Sequence, residues 1–280
     1  MAPEFGERPW QPVDQSDETP AAVDCWRCGK SVDAQAATCP FCAARLRETP
    51  RPAQRAIASD DAFVRMLCFF AGLLAVSVGH GLILFGLASA GEFEDPAPEA
   101  MLMQIGIFEL ISTGVVLAAL VAVRVPSEAS PPFSQRVTAW VVAWPLLAAS
   151  LAFNVGYHWF LREGLGIPAI ASEFAGRTDL LPWVVLLICV QPAIFEELFF
   201  RYTAMNVLQT ALRPATVILL SSVMFGLAHI GVPLSIPVLV TLGLLLGWMR
   251  YASGSVLLPM LMHFVHNAVV VYFEMMQVIP

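Results

Sequence analysis

Three short segments of this sequence carry the polar groups that hydrolysis needs, each inside an otherwise apolar stretch. Glu196-Glu197 is followed by Arg201, Phe225 by His229 four residues on, and His263 by Asn267, with His266 between them. On a helix, residues four apart share a face. Glu197 can therefore pair with Arg201, with the acid N-terminal to the base, the favourable order. Glu196 is turned about 100° away from that pair and stays available for another task. A carboxylate can take a proton from water, and a nearby imidazole can hold that water or share the proton. His263 and Asn267, on one face, can donate to a developing oxyanion. Together these groups suit the attack of water on an amide. Each also has a plainer reading. A membrane histidine commonly serves an interhelical hydrogen bond, and Glu197 with Arg201 makes sense as packing alone.

The elements that must position these residues follow from composition. Of 280 residues, 58% are hydrophobic and 13% are charged, about half the charge share of a soluble domain. So few charges cannot cover a soluble surface. The expected fold class is an all-α polytopic membrane protein with about seven transmembrane helices. Apolar segments of about 20 residues span the hydrocarbon core, and the candidates are 66–90, 101–123, 137–160, 182–205, 216–231, 236–250 and 255–276. Arginines precede the first span at Arg45, Arg47, Arg51, Arg55 and Arg65, and recur at Arg124, Arg136, Arg213 and Arg250. By the positive-inside rule this sets the N-terminus in the cytosol and the C-terminus outside, with Arg162 and Arg177 as exceptions. The expected location is the plasma membrane of a prokaryote. A net charge of -7 with one lysine, Lys30, argues against nucleic-acid binding.

Within the spans, ionisable groups cost at least ~2.5–3.5 kcal/mol each, so every one needs a reason. Pro192 and Pro259 stand four residues before Glu196 and His263 and read as kinks beside the site. His80 and Glu109 read as a structural pair with no catalytic role. Gly243 and Gly247 read as close helix packing, and Cys68 and Cys189 as inert core residues. One depth is discordant. Counting 1.5 Å per residue, His229 falls roughly 8–10 Å too far along span five to meet Glu196 and His263.

Taken in order, the three motifs resemble those of the CPBP (Abi) family of intramembrane proteases, which includes the type II CAAX prenyl proteases and bacteriocin-related members. The likeness covers about 182–272. It implies that Glu196 activates water with His229 while His263 and Asn267 bind the oxyanion. Glu197 and Arg201 match the second acid and the base of the first motif. The family has also been described as metalloproteases, which would set zinc on Glu196, His229 and His263. No HExxH occurs here, and a carboxamide is a poor zinc ligand, so the metal-free reading is preferred. The implied activity is cleavage of a membrane-associated or lipidated peptide. The alternatives are a non-catalytic scaffold or bacteriocin self-immunity protein, and an ion-coupled transporter, for which no inverted repeat is visible.

Ahead of the spans, Cys25-x-x-Cys28 and Cys39-x-x-Cys42 form two knuckles suited to one tetrahedral zinc. Disulfides are the alternative, but no signal peptide precedes the cysteines. Four thiolates leave no open position, so the zinc is expected to be structural, and the module a structural unit or a docking surface for a cytosolic protein partner rather than a catalyst. The expected organisation is a tail at 1–20, a zinc ribbon at 21–48, a linker at 49–64 and a membrane domain at 65–280.

Overall fold

The computed structural model describes residues 22–25, 30–41, 46, 52–89, 97–125, 131, 133–166 and 174–275. At the N-terminus, β1 (Ala22–Asp24) pairs antiparallel with β2 (Ser31–Asp33), with Val23 opposite Val32. The described residues after Pro52 form seven main helical elements: α1 (Pro52–Ser89), α2 (Pro98–Ala122), α3 (Phe133–Trp159), α4 (Leu181–Leu208), α5 (Pro214–Leu227), α6 (Ile236–Ser253) and α7 (Leu257–Met275). Among the described residues, six helices are long and apolar enough to cross a membrane, and α5 is shorter. The chain is an all-α, multi-pass membrane protein.

Its outward surface is apolar, as a lipid solvent requires. Leu110 and Val121 of α2 are 72% and 87% exposed, and Trp140, Val141 and Trp144 of α3 also face outward. The buried centre draws on all seven helices, from Leu73 of α1 and Val116 of α2 to Phe199, Phe200, Phe225, Leu242, Leu246 and Met262. Phe200 and Phe225 meet edge to face, with centroids 5.4 Å apart.

Several expectations change. Residues 52–64, read largely as linker, are helical and extend α1 beyond the span. Cys68 is exposed rather than in the core, because an apolar helix face in lipid has no need to be buried, whereas Cys189 is buried. Pro259 is the third residue of α7, where its missing N–H is one of the unsatisfied donors anyway, so it starts the helix and does not kink it. Pro192 does mark irregular backbone. Within α4, wide π turns at Val185–Val190 and Leu198–Ala204 flank the α-helical Gln191–Glu197. Such turns inside helices recur at functional sites.

His229 nevertheless reaches Glu196, and span five is shorter than expected. It stops at Leu227, and turns carry the chain through 228–232, held by His229 N–H to Gly226 O (3.1 Å) and Val232 N–H to His229 O (2.9 Å). At 14 residues α5 is about 21 Å long, short of the ~30 Å core. His229 hangs from the turn after it. Non-helical backbone at this depth is tolerated where it lines a cavity or is covered by protein.

The Gly243–Gly247 pair packs α6 on α5. A Cβ on Gly243 would stand 3.0 Å from Ser222 Cα, and one on Gly247 3.2 Å from Ile218 Cγ2. Gly243→Ala should lower the melting temperature in detergent, by the equivalent of about 1–3 kcal/mol for overpacking. Gly79 of α1 faces open space within 4 Å, so Gly79→Ala should leave the melting temperature unchanged or raise it. Equal effects at both glycines would contradict the close approach of α5 and α6.

Candidate active site

The site begins with a charge pair inside α4. Glu197 and Arg201 are both fully buried, and Arg201 Nη1 lies 3.1 Å from Glu197 Oε1. The i,i+4 spacing works because both residues project from the same side of one helix. The guanidinium reaches beyond the pair. Its Nη2 donates to Gly243 O of α6 (3.2 Å), and its carbon lies 4.5 Å from the Phe225 ring centroid on α5, within cation–π range. The absent side chain at Gly243 thus serves both the helix contact and this bond. The same carboxylate also accepts from His263 Nδ1 of α7 at 3.0 Å. Glu197 therefore ties α4 to α7 while Arg201 ties it to α5 and α6.

Glu196, one residue earlier, faces the other way. Its Oε1 lies 3.4 Å from His229 Nε2 and its Oε2 3.9 Å from His263 Nε2. Hydrogen-bond partners fix the protons on both rings. His229 Nδ1 lies 2.9 Å from Phe225 O, a carbonyl that can only accept, so Nδ1 carries the hydrogen. His263 Nδ1 likewise donates to Glu197. In the neutral form of either ring, the remaining Nε2 presents a lone pair toward Glu196. Phe225 packs against both imidazoles, with centroids 5.2 Å from His229 and 5.7 Å from His263.

Glu196 and His229 border a cavity of about 250 Å³ between α1, α2, α4 and the 228–232 turn. Its walls are mostly apolar, with Leu73, Ile105, Phe108, Phe195 and Val232 among them, and its other polar lining comes from Ser77, His80, Glu109, Ser112 and Gln191. His263 is buried behind Glu196 rather than on the cavity wall.

Asn267 already has a backbone partner. Its Nδ2 donates to Ile188 O at 2.9 Å. Pro192, with no N–H, cannot donate to that carbonyl from four residues on, and Asn267 does so from α7. Its Oδ1 lies 3.4 Å from His266 Nδ1, while the buried His266 Nε2 has no hydrogen-bond partner. Glu196, His229 and His263 are thus brought together, with Glu197 and Arg201 behind them and Asn267 one turn further along α7.

His80 and Glu109 do not pair. The His80 ring stacks on Phe108 (4.7 Å between centroids), and its buried Nε2 has no partner. Both side chains instead line the cavity. Sequence reasoning passed over Gln191, whose Nε2 donates to Glu109 O (3.2 Å) and Thr113 Oγ1 (2.8 Å), bracing α4 on α2. An amide side chain inside an apolar span was the available signal. It also passed over Ser77, which accepts from Gly231 N–H at 3.4 Å and rests the His229 turn on α1. Nothing in the sequence connects those two. Outside the spans, Arg177 joins Asp179 (2.7 Å) and Glu99 at the start of α2. Those two hydrogen-bonded acids raise the Arg177 pKa, and the guanidinium holds the Asp179 carboxyl below its usual range.

At the N-terminus, Cys25 and Cys39 are buried together with Val32, and Cys25 N–H donates to Lys30 O at 2.8 Å. Cys28 and Cys42 lie outside the described residues.

Residues 178–269 match the family model of the Rce1-like type II CAAX prenyl endopeptidases. That stretch runs from just before α4 into α7 and contains all six of Glu196, Glu197, Arg201, His229, His263 and Asn267. At the level of the family, the match supports an intramembrane protease of the CAAX type. No curated protein and no solved structure matches the chain.

The Pro192–Asn267 relation can be tested by a double-mutant cycle. Asn267→Ala should lower the melting temperature, because Ile188 O loses its donor. In a Pro192→Ala background the same change should cost less, since the new backbone N–H can serve Ile188 O. A coupling of about 0.5–3 kcal/mol is expected. Strict additivity would mean that the proline is not what creates the acceptor.

Proposed function

We propose that this protein is an intramembrane endopeptidase that hydrolyses a peptide bond of a membrane-associated or lipidated substrate. The observation that carries the reading is the carboxylate of Glu196 facing two imidazole Nε2 atoms from two other chain segments, at the wall of an apolar cavity. A water between Glu196 and His229 can donate one hydrogen to the carboxylate and the other to His229 Nε2. As its oxygen attacks the amide carbon, Glu196 takes the proton, and the carbonyl oxygen becomes an oxyanion. In this reading His263, protonated on both nitrogens and steadied by Glu197, donates to that oxyanion. Asn267 is the second donor through the amide hydrogen that Ile188 O leaves unused. The intermediate then expels the amine once its nitrogen is protonated.

A second reading uses the same side chains. With both Nδ1 atoms committed as donors, two Nε2 lone pairs and a carboxylate have the donor chemistry of a zinc site. Glu197 would then stand behind His263 as carboxylates stand behind metal-bound histidines. Such a metal would polarise a carbonyl or a bound water.

For the N-terminal module we propose one structural zinc on Cys25, Cys28, Cys39 and Cys42. The buried convergence of Cys25 and Cys39 beside a two-stranded hairpin supports it. The arginine distribution supports a cytosolic N-terminus, where thiols stay reduced and a protein partner could dock.

Peptide proteomics of membranes from cells carrying wild type or Glu196→Gln should reveal products unique to wild type. Purified Glu196→Gln and His229→Ala should lose proteolysis while keeping the wild-type melting temperature. Equal loss of activity and stability would count against chemical roles for these two residues. Metal analysis separates the two mechanisms. The metal-free reading predicts one zinc per chain, retained in Glu196→Gln and lost, with proteolysis preserved, in the doubly substituted Cys25→Ser and Cys39→Ser protein. Two zinc ions per chain, falling to one in Glu196→Gln, would establish the metal-dependent reading instead.

A further inference from the structure

Three carboxyl groups lie within the spans in or next to the cavity wall, Glu109 and Glu196 on it and Glu197 behind it, and two are compensated. Glu197 has Arg201 and His263, and Glu196 faces His229 and His263. Glu109 of α2 has no ion pair with a cationic side chain among the described residues, although it lines the same cavity as Glu196 and His229. An uncompensated carboxyl in a span is costly and marks a functional group. Its position is braced: Gln191, which donates to Glu109 O and Thr113 Oγ1, stands five residues before Glu196, about 7.5 Å of helix rise away. Two carboxyl groups in unlike settings around one reacting centre divide the work of base and acid.

We propose that Glu109 is the acid that protonates the leaving amine. This rests on the protease reading and adds a step to it. Water adds to the amide carbon while Glu196 takes its proton. The C–N bond then breaks, and the Glu109 carboxylic acid gives its proton to the departing nitrogen, becoming a carboxylate. The proton held by Glu196 passes through cavity water to Glu109 and restores both groups. One water is consumed, one peptide bond is broken, and no other reactant is needed. The α2 helix, outside the stretch matched by the family model, thereby becomes part of the active site.

The test compares leaving groups. A quenched peptide cleaved by the wild type is paired with its depsipeptide, in which an ester with an acidic phenolic leaving group replaces the scissile amide. Such an alcohol departs without protonation. Glu109→Gln should reduce kcat on the amide by about 10²–10³-fold, within the range for loss of a general acid, and reduce ester cleavage by less than about threefold. Glu109→Asp should recover part of the amide activity. Glu196→Gln should lose both activities. A parallel fall on both substrates in folded Glu109→Gln, or no fall on either, would overturn the proposal and leave the Glu196 reading standing. A wild type that cleaves neither substrate, across a panel of peptides, would remove the protease reading and this step with it.

Discussion

A guanidinium in the middle of an apolar helix bundle must find a partner for its charge, and the way Arg201 does so organises everything around it. Its counter-ion, Glu197, comes from one turn earlier in the same helix, so the pair is local. The remaining contacts are long-range: a carbonyl on α6 and an aromatic face on α5. Glu197 in turn accepts from His263 on α7. Four helices are registered by one buried ion pair. Breaking such a pair costs far more than surface pairs contribute, since the surviving charge is stranded in low dielectric.

That arrangement separates two adjacent, chemically identical residues. Glu197 is fully buried and committed to neighbouring side chains, whereas Glu196 retains some exposure and faces the cavity. The wide turns on either side of Gln191–Glu197 let α4 present both faces without breaking the helix. α5 ends at Leu227, and His229 meets Glu196 from the turn that follows. Asn267 takes the carbonyl of Ile188, four residues before Pro192, which secures α7 against α4 beside the site. Irregular backbone is thus concentrated where the polar groups converge.

Much of this was legible in the sequence, for identifiable reasons. Helices in lipid announce themselves by hydropathy alone, so fold class and most spans could be read directly. The Glu197–Arg201 pair was legible because it is four residues long, and so was the freedom of Glu196 on the other face. The link from Glu197 to His263 was not, since it joins residues far apart in sequence and no local rule couples them. The end of α5 was hidden because Ala228-His229-Ile230-Gly231-Val232 is nearly as apolar as the helix before it. Pro259 misled because a proline in a first turn and a proline at a kink look alike until the helix start is known. Glu109 and His80 were read as partners from similar depth, but depth does not specify which way a side chain turns, and Phe108 rather than Glu109 meets the imidazole.

The claim that the buried pair frames the site is tested most directly by thermal unfolding in detergent of Glu197→Gln, Arg201→Met and the double variant. The account predicts that each single change costs about 3–5 kcal/mol, because each leaves an uncompensated group in the core. The double variant should recover most of that loss, because neither charge remains. Additive losses, or single variants that unfold with the wild type, would contradict it.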